Sequence, residues 1–318
     1  MHWLLRKIRH PYRSYKEYLA KEKKIIRKKG QYPDKTFYVI RCDLPECGLF
    51  AIYMYVLDHV AYAVDNGYIP VLDIEQYPCL YREDVPVNGT RNPWNYYFKE
   101  LMPYNQEEIE KCKNVIYSAI KFPHYKALYY YREKEKNVLP SQEHLKELKS
   151  IADKYFPFND DLKNKLENDS KILKQFKRLL GIHVRGTDMY TEGKQHPVPT
   201  GDTKDFRTID NLLKEYNLDG IFLCTDTNST VEIFKEYYGD RVITTSAVRQ
   251  IDDSKKGIHK DSSLGMGRSL HKYHLGLEVI TDMYLLSQCN VLLCGPSNVP
   301  FTALVYNAGQ YDKVIYCV

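Results

Sequence analysis

Three short segments in the second half of the chain carry polar side chains where chemistry could be done. They are His183-Val184-Arg185-Gly186-Thr187-Asp188, Thr225-Asp226-Thr227-Asn228 and Gly295-Pro296-Ser297-Asn298, and each follows an apolar run. Each run reads as a buried strand, and open parallel sheets bind ligands at the carboxyl ends of their strands. Alternation puts Ile182 and Val184 on one face and His183 and Arg185 on the other. An arginine leaving such a strand ahead of a glycine can present its guanidinium to a diphosphate, or it can brace the sheet against a carboxylate. Ser297 or Asn298 is a natural cap for the helix that follows. The free N–H groups there form an anion site, and capping without a ligand is the plainer alternative. Glu192 and His196 lie in the glycine-containing loop after Arg185, and either has the chemistry of a general base.

Several reaction classes are excluded by what the sequence lacks. No G-x-x-x-x-G-K-[ST] is present, so P-loop phosphoryl transfer is out. Gly265-Met266-Gly267 follows a polar loop rather than a strand, which argues against a dehydrogenase. No G-x-S-x-G occurs, so serine hydrolysis is weakly supported. There is no D-x-D. The nearest carboxylate pair, Asp73-Ile74-Glu75, reads as the end of a strand, so no metal is expected. The eight cysteines (42, 47, 79, 112, 224, 289, 294 and 317) form no C-x-x-C, and they read as free thiols in a reducing compartment.

The elements that must position these groups are legible along the chain. With 318 residues, 43% apolar and 27% charged, the composition is that of a folded globular protein of one large or two medium domains. Strands are predicted at 37–40, 69–73 and 115–118, with a helix over 49–66 that Gly67 stops. Residues 75–105, rich in Tyr, Pro, Asn and Trp, read as loops. Helices are expected over 141–153 and 160–177, opened by Ser141 and Asn159. Strands at 179–185, 220–224, 241–244, 290–294 and 313–317 then alternate with helices at 205–216, 229–238, 275–288 and 298–308. That order is a doubly wound parallel domain. A boundary near residue 175 divides the chain into residues 30–174 and 175–318, each Rossmann-like, after a separate segment 1–29. Trp94, Tyr96, Tyr97 and Phe98 could face a sugar or pack beneath the long loop.

Net charge is +5, from 46 basic and 41 acidic residues, and it is unevenly spread. Residues 1–29 hold eleven Lys/Arg and two Glu, a net +9, so the rest of the chain sums to −4. Leu4, Ile8, Tyr12, Tyr15 and Leu19 share a face at helical spacing, which predicts a basic amphipathic helix interrupted at Pro11. Such a segment suits an anionic membrane surface, or it packs on its own domain. The whole-chain charge is too small to argue for nucleic acid. No apolar run spans a bilayer, and the charged start has no secretory h-region. The expected location is cytoplasmic, peripheral on the inner face of the membrane.

Taken together, the clusters resemble a known family. Residues 181–188 with Thr191-Glu192 and His196-Pro197 look like the first motif of the α1,6-/α1,2- and protein O-fucosyltransferase superfamily, which includes the core α1,6-fucosyltransferases and the rhizobial Nod-factor enzyme. Leu223-Cys224-Thr225-Asp226 is similar to its second motif. Residues 278–289 with Leu293-Cys294-Gly295-Pro296-Ser297 are similar to its third, so that 178–308 match in order. The resemblance implies a GT-B fold, two facing Rossmann-like domains, with an inverting, metal-independent transfer of fucose from GDP-fucose to a glycan hydroxyl. No cofactor is implied. Arg185 would hold the diphosphate, His183 would contact phosphate or ribose, Asp282, Ser297 and Asn298 would line the nucleotide pocket with Asp226 beside them, and Glu192 would match the base. Gly186 stands where the α1,6 enzymes have a second Arg, and Asn298 replaces a second Ser. The implied acceptor is a bacterial surface glycan presented on a lipid. A GT-B enzyme using another nucleotide sugar, and a non-enzymatic binder of anionic partners through residues 1–29, are the alternatives.

Overall fold

The structure is a computed structural model that describes residues 20–104, 106–121, 123, 125–127, 139–185, 206–250 and 267–317. It is a mixed α/β chain with two sheets. In the first half, β1 (Lys23–Ile26) and β2 (Gln31–Arg41) precede α1 (Leu49–Asp65), β3 (Ile69–Asp73), the short α2 (Gln106–Lys111) and β4 (Cys112–Tyr117). Next come α3 (Gln142–Tyr155), α4 (Asp160–Asp169) and a 3-10 turn, Ser170–Gln175. The second half runs β5 (Leu179–Val184), α5 (Arg207–Glu215), β6 (Gly220–Thr225), α6 (Asn228–Tyr238), β7 (Val242–Ile243), α7 (His271–Leu286), β8 (Val291–Cys294), α8 (Asn298–Asn307) and β9 (Lys313–Tyr316).

The second sheet has the order β7-β6-β5-β8-β9, every pair parallel. Strand order reverses beside β5, so the doubly wound arrangement expected there is present and its switch point lies between β5 and β8. β5 is buried along its whole length. Leu180, Ile182 and Val184 enter one core with Ile221, Leu223 and Leu293, while Leu179 joins Phe222 and Leu292 on the opposite side. That two-sided burial is why the strand reads as a continuous apolar run.

The first sheet is smaller. β2 pairs in parallel with β3 and β4, and β1 closes the edge antiparallel to β4. β1 corrects the expectation of a helix through residue 29; residues 1–19 lie outside the described residues. Ile25 pairs across to Val115, a core residue, and consecutive β-branched side chains suit a pleated edge better than a lysine-rich helix. Gly30 then lets the chain pass the start of β4, because a Cβ there would lie 2.7 Å from the Lys113 backbone.

α1 is buried on nearly every side, which follows from its place between the first sheet and the helices α3 and α8. Its end is closed as expected at Gly67: the Tyr68 N–H reaches the Ala63 carbonyl at 2.8 Å and φ at Gly67 is +68°. Ser141 and Asn159 cap α3 and α4, accepting from the N–H groups of His144 and Leu162. The helix expected through 177 stops at Asp169 and tightens into the 3-10 turn.

One core runs through both halves. Tyr53 of α1, Phe156 and Trp94 share it with Ile280 and Met283 of α7 and Leu304 of α8. Trp94, Tyr96, Tyr97 and Phe98 are all at most 2% exposed, so the aromatic stretch packs beneath its loop. All eight cysteines are free thiols.

Candidate functional site

The strand ends β5, β6 and β8 open on a cleft of about 580 Å³. Its far wall comes from the first half: residues 46–51, at the start of α1, and Tyr81. His183, Arg185, Asp226, Asp282, Ser297 and Asn298, singled out from the sequence, all line this one cleft. Glu192 and His196, the base candidates, lie outside the described residues.

Two helices begin in the cleft. α8 starts after Ser297 and α1 after Gly48; among the described residues neither cap residue makes a side-chain hydrogen bond to its helix, and neither helix has an acid in its first turn. The backbone N–H groups and the positive ends of the two dipoles therefore face a common space, which favours an anion. The Leu49 N–H is taken by the Tyr81 phenol oxygen at 2.9 Å. Tyr81 is 5% exposed and within electrostatic reach of Arg185, so one hydroxyl links the first half to the strand end of the second. The Asn298 Oδ1 is buried with no hydrogen-bond partner among the described residues, while its main-chain carbonyl accepts from Thr302 at 2.8 Å.

Asp282 sits on α7, 7% exposed. Burial pushes its carboxyl from 3.8 up to about 6, against the opposing pull of a 2.5 Å hydrogen bond from the Thr245 hydroxyl and of the Arg249 guanidinium. One turn earlier, Glu278 pairs with Arg268 and accepts from the Val248 N–H at 3.3 Å. Arg249 donates to the Thr244 hydroxyl and to the carbonyls of Thr245 and Ala247. These two charged residues fold the 244–249 loop so that Ala247 and Val248 form cleft wall. At the end of β6, Asp226 is pinned by its backbone: the Gln250 N–H donates to its carbonyl at 2.8 Å, and Thr227 meets Thr230 hydroxyl to hydroxyl at 2.7 Å.

Glu278, Arg249, Thr245 and Tyr81 escaped the sequence reading. Glu278 and Asp282 are four residues apart on one helix, a spacing that puts two carboxylates on one face, and it was available. Nothing local marks Tyr81 or Arg249, whose partners are set by loop paths.

Asp73 behaves as a strand end, as expected. It pairs in register with Arg41, and burial raises its carboxyl to about 6. Among the described residues no cluster of three metal-ligating groups is present.

No protein-family profile and no curated protein sequence matches the chain. Solved structures do. The fucosyltransferase NodZ from Bradyrhizobium is similar over 81% of this chain and 88% of its own, at 14% identity and a TM-score of 0.45. An Arabidopsis thaliana FUT1 mutant in complex with GDP is similar over 96% and 75%, at 12% identity and a TM-score of 0.47. POFUT1 in complex with GDP-fucose is similar over 88% and 98%, at 11% identity and a TM-score of 0.48.

Proposed function

We propose that the chain is a glycosyltransferase of GT-B architecture that moves fucose, by inversion and without a metal, from GDP-fucose to a glycan hydroxyl. The observation that supports this best is the cleft itself. Arg185 leaves β5 at the switch point, opposite two helix starts whose cap residues make no side-chain hydrogen bond to the helix among the described residues, and all six residues matched to the family's donor site line the same space. A departing nucleoside diphosphate gains negative charge as the glycosidic bond breaks. A fixed guanidinium and preoriented N–H groups stabilise that charge without a cation having to be recruited.

In this reading the α8 start and Arg185 hold the diphosphate. Asp282 accepts from base N–H groups, and His183 meets phosphate or ribose. The acceptor hydroxyl attacks the anomeric carbon from the face opposite the diphosphate. Its proton passes to a base that we assign to Glu192, or failing that His196, on the family pattern. The first half, residues 30–174, would carry the acceptor side and residues 175–318 the donor side. The acceptor would be a bacterial surface glycan carried on a lipid at the cytoplasmic face of the membrane.

A thermal-shift series with GDP, UDP, TDP and CMP tests the donor, followed by hydrolysis of GDP-fucose against other GDP-sugars. Stabilisation by GDP and preferential cleavage of GDP-fucose are expected. A response confined to another nucleotide would overturn the fucosyl reading and leave a different GT-B donor.

A further inference from the structure

The edge of the first sheet carries an unusual concentration of charge. Residues 21–29 hold six Lys/Arg and one Glu. β1 occupies the middle of this stretch, paired among the described residues on one side only, to β4. Lys21, Lys23, Lys24, Lys28 and Lys29 are exposed, and the side chains of Lys24, Lys28 and Lys29 have no hydrogen-bond or ion-pair partner among the described residues. Arg27 is turned inward and donates to the Cys112 carbonyl at 2.7 Å. Ile26, between these cations, is 65% exposed although its neighbour Ile25 is half-buried. By strand alternation Lys24 and Ile26 share a face.

Lysines on an edge strand also discourage pairing with other chains, and one or two suffice for that. Six cations in nine residues exceed the need, and an exposed isoleucine on the same strand works against it. The combination fits a different partner. We infer that this edge is a docking surface for an anionic lipid bilayer, with the lysines at the headgroups and Ile26 at the acyl boundary. Each lysine near such a surface strengthens partitioning roughly fivefold. The remainder of the chain supplies the orientation. Residues 30–318 sum to −4, so the field of the surface attracts this edge and repels the body. Nucleic acid would take the cations but has no use for the exposed aliphatic side chain.

The position of the strip gives it meaning for the cleft. The Lys21 carbonyl accepts from the Arg41 guanidinium at 2.7 Å, at the carboxyl end of β2. From that same end the chain proceeds to Gly48 and the start of α1, which form the far wall of the cleft. The start of β1 thus lies at the cleft end of the first sheet, and the strip runs from there along the edge to Lys28 and Lys29 beyond Lys113. This inference is independent of the proposed activity and is tested without it.

Flotation of the full chain with vesicles provides the test, using phosphatidylcholine alone and phosphatidylcholine with about a third phosphatidylglycerol. Binding to the anionic vesicles only, abolished by high salt, is expected. Lys24→Glu/Lys28→Glu/Lys29→Glu should weaken it at least tenfold, and Ile26→Ser severalfold, with the melting temperature unchanged. If the triple variant melts early, Lys24→Gln/Lys28→Gln is used instead and should give a smaller loss. Equal binding to both vesicles, unchanged binding by the variants, or capture by single-stranded RNA in place of vesicles would each overturn the assignment.

Discussion

Tyr97 lies flat on Tyr273, the ring planes 8° apart and the centroids separated by 5.6 Å, and its hydroxyl donates to the Tyr273 carbonyl at 2.8 Å. A residue of the loop after β3 is thus bound to the first turn of α7, the helix that carries Glu278 and Asp282. Glu83 of the same loop accepts from the Tyr273 N–H at 2.7 Å, a carboxylate at the positive end of the helix. The spacing across the cleft is set by these contacts.

Gly276 makes the stack possible. A Cβ there would sit 2.1 Å from the Tyr97 hydroxyl oxygen. Gly→Ala in a helix interior ordinarily gains about 1 kcal/mol, but overpacking a buried ring costs about 1–3 kcal/mol. Gly276→Ala should therefore lower the urea midpoint. Tyr97→Leu in the same chain should recover part of the loss, a coupling that a double-mutant cycle reads directly. A raised midpoint for the single variant would contradict the packing.

Arg185→Ala should reduce kcat for donor cleavage about 10²–10³-fold with a smaller change in GDP affinity, because its interaction strengthens as charge develops on the leaving group. Arg185→Lys should recover little, since an ammonium cannot pair in bidentate fashion. Stopped-flow or single-turnover cleavage of GDP-fucose checks this. Near-normal turnover in Arg185→Ala would remove the residue from the mechanism.

The raised carboxyl of Asp282 gives two pH effects of opposite sense. Folding favours its protonated form, so its contribution to stability is greatest below pH 3.8, falls as pH rises towards about 6, and then levels off. Asp73 contributes in the same window and sense. On the proposed donor reading Asp282 takes the base as a carboxylate, so GDP affinity should rise with pH and be about tenfold weaker at pH 5 than at pH 7. Calorimetric titration at the two pH values should show this for the native chain and a flat profile for Asp282→Asn. A pH-independent native affinity would place the base elsewhere.

Tyr81→Phe keeps the ring and removes the oxygen that accepts from Leu49. A net loss of about 1 kcal/mol in stability is expected, together with faster hydrogen exchange at the Leu49 amide. Unchanged exchange would show that the amide has another partner.

Much of this was written locally in the sequence. The core strands β5, β6 and β8 are uninterrupted apolar runs, and the caps at Ser141 and Asn159 and the stop at Gly67 are decided by neighbours within a few residues. The cleft-lining residues followed from those strand ends, and the switch point gathers them. What was not legible depends on distant pairing. Residues 23–26 take strand form because Ile25 meets Val115, some ninety residues on. The four aromatics at 94–98 have the same composition whether they face sugar or core, and only the arrival of α7 and Phe156 decides it. Glu278 and Arg249 act on a loop whose course no periodicity encodes.

The shared core carries a consequence for how such a chain can be engineered. Tyr53 of the first half contacts Tyr306 of the second, and Phe158 stacks on that same Tyr306 at 5.5 Å. Each half has a smaller core of its own, but the largest cluster draws on both, so neither is a module that can be cleanly excised. A chimera joining residues 175–318 to an unrelated partner would expose the faces of α7 and α8 and aggregate. Changes of specificity would have to be made by substitution within the cleft walls, with the seam between the halves left intact.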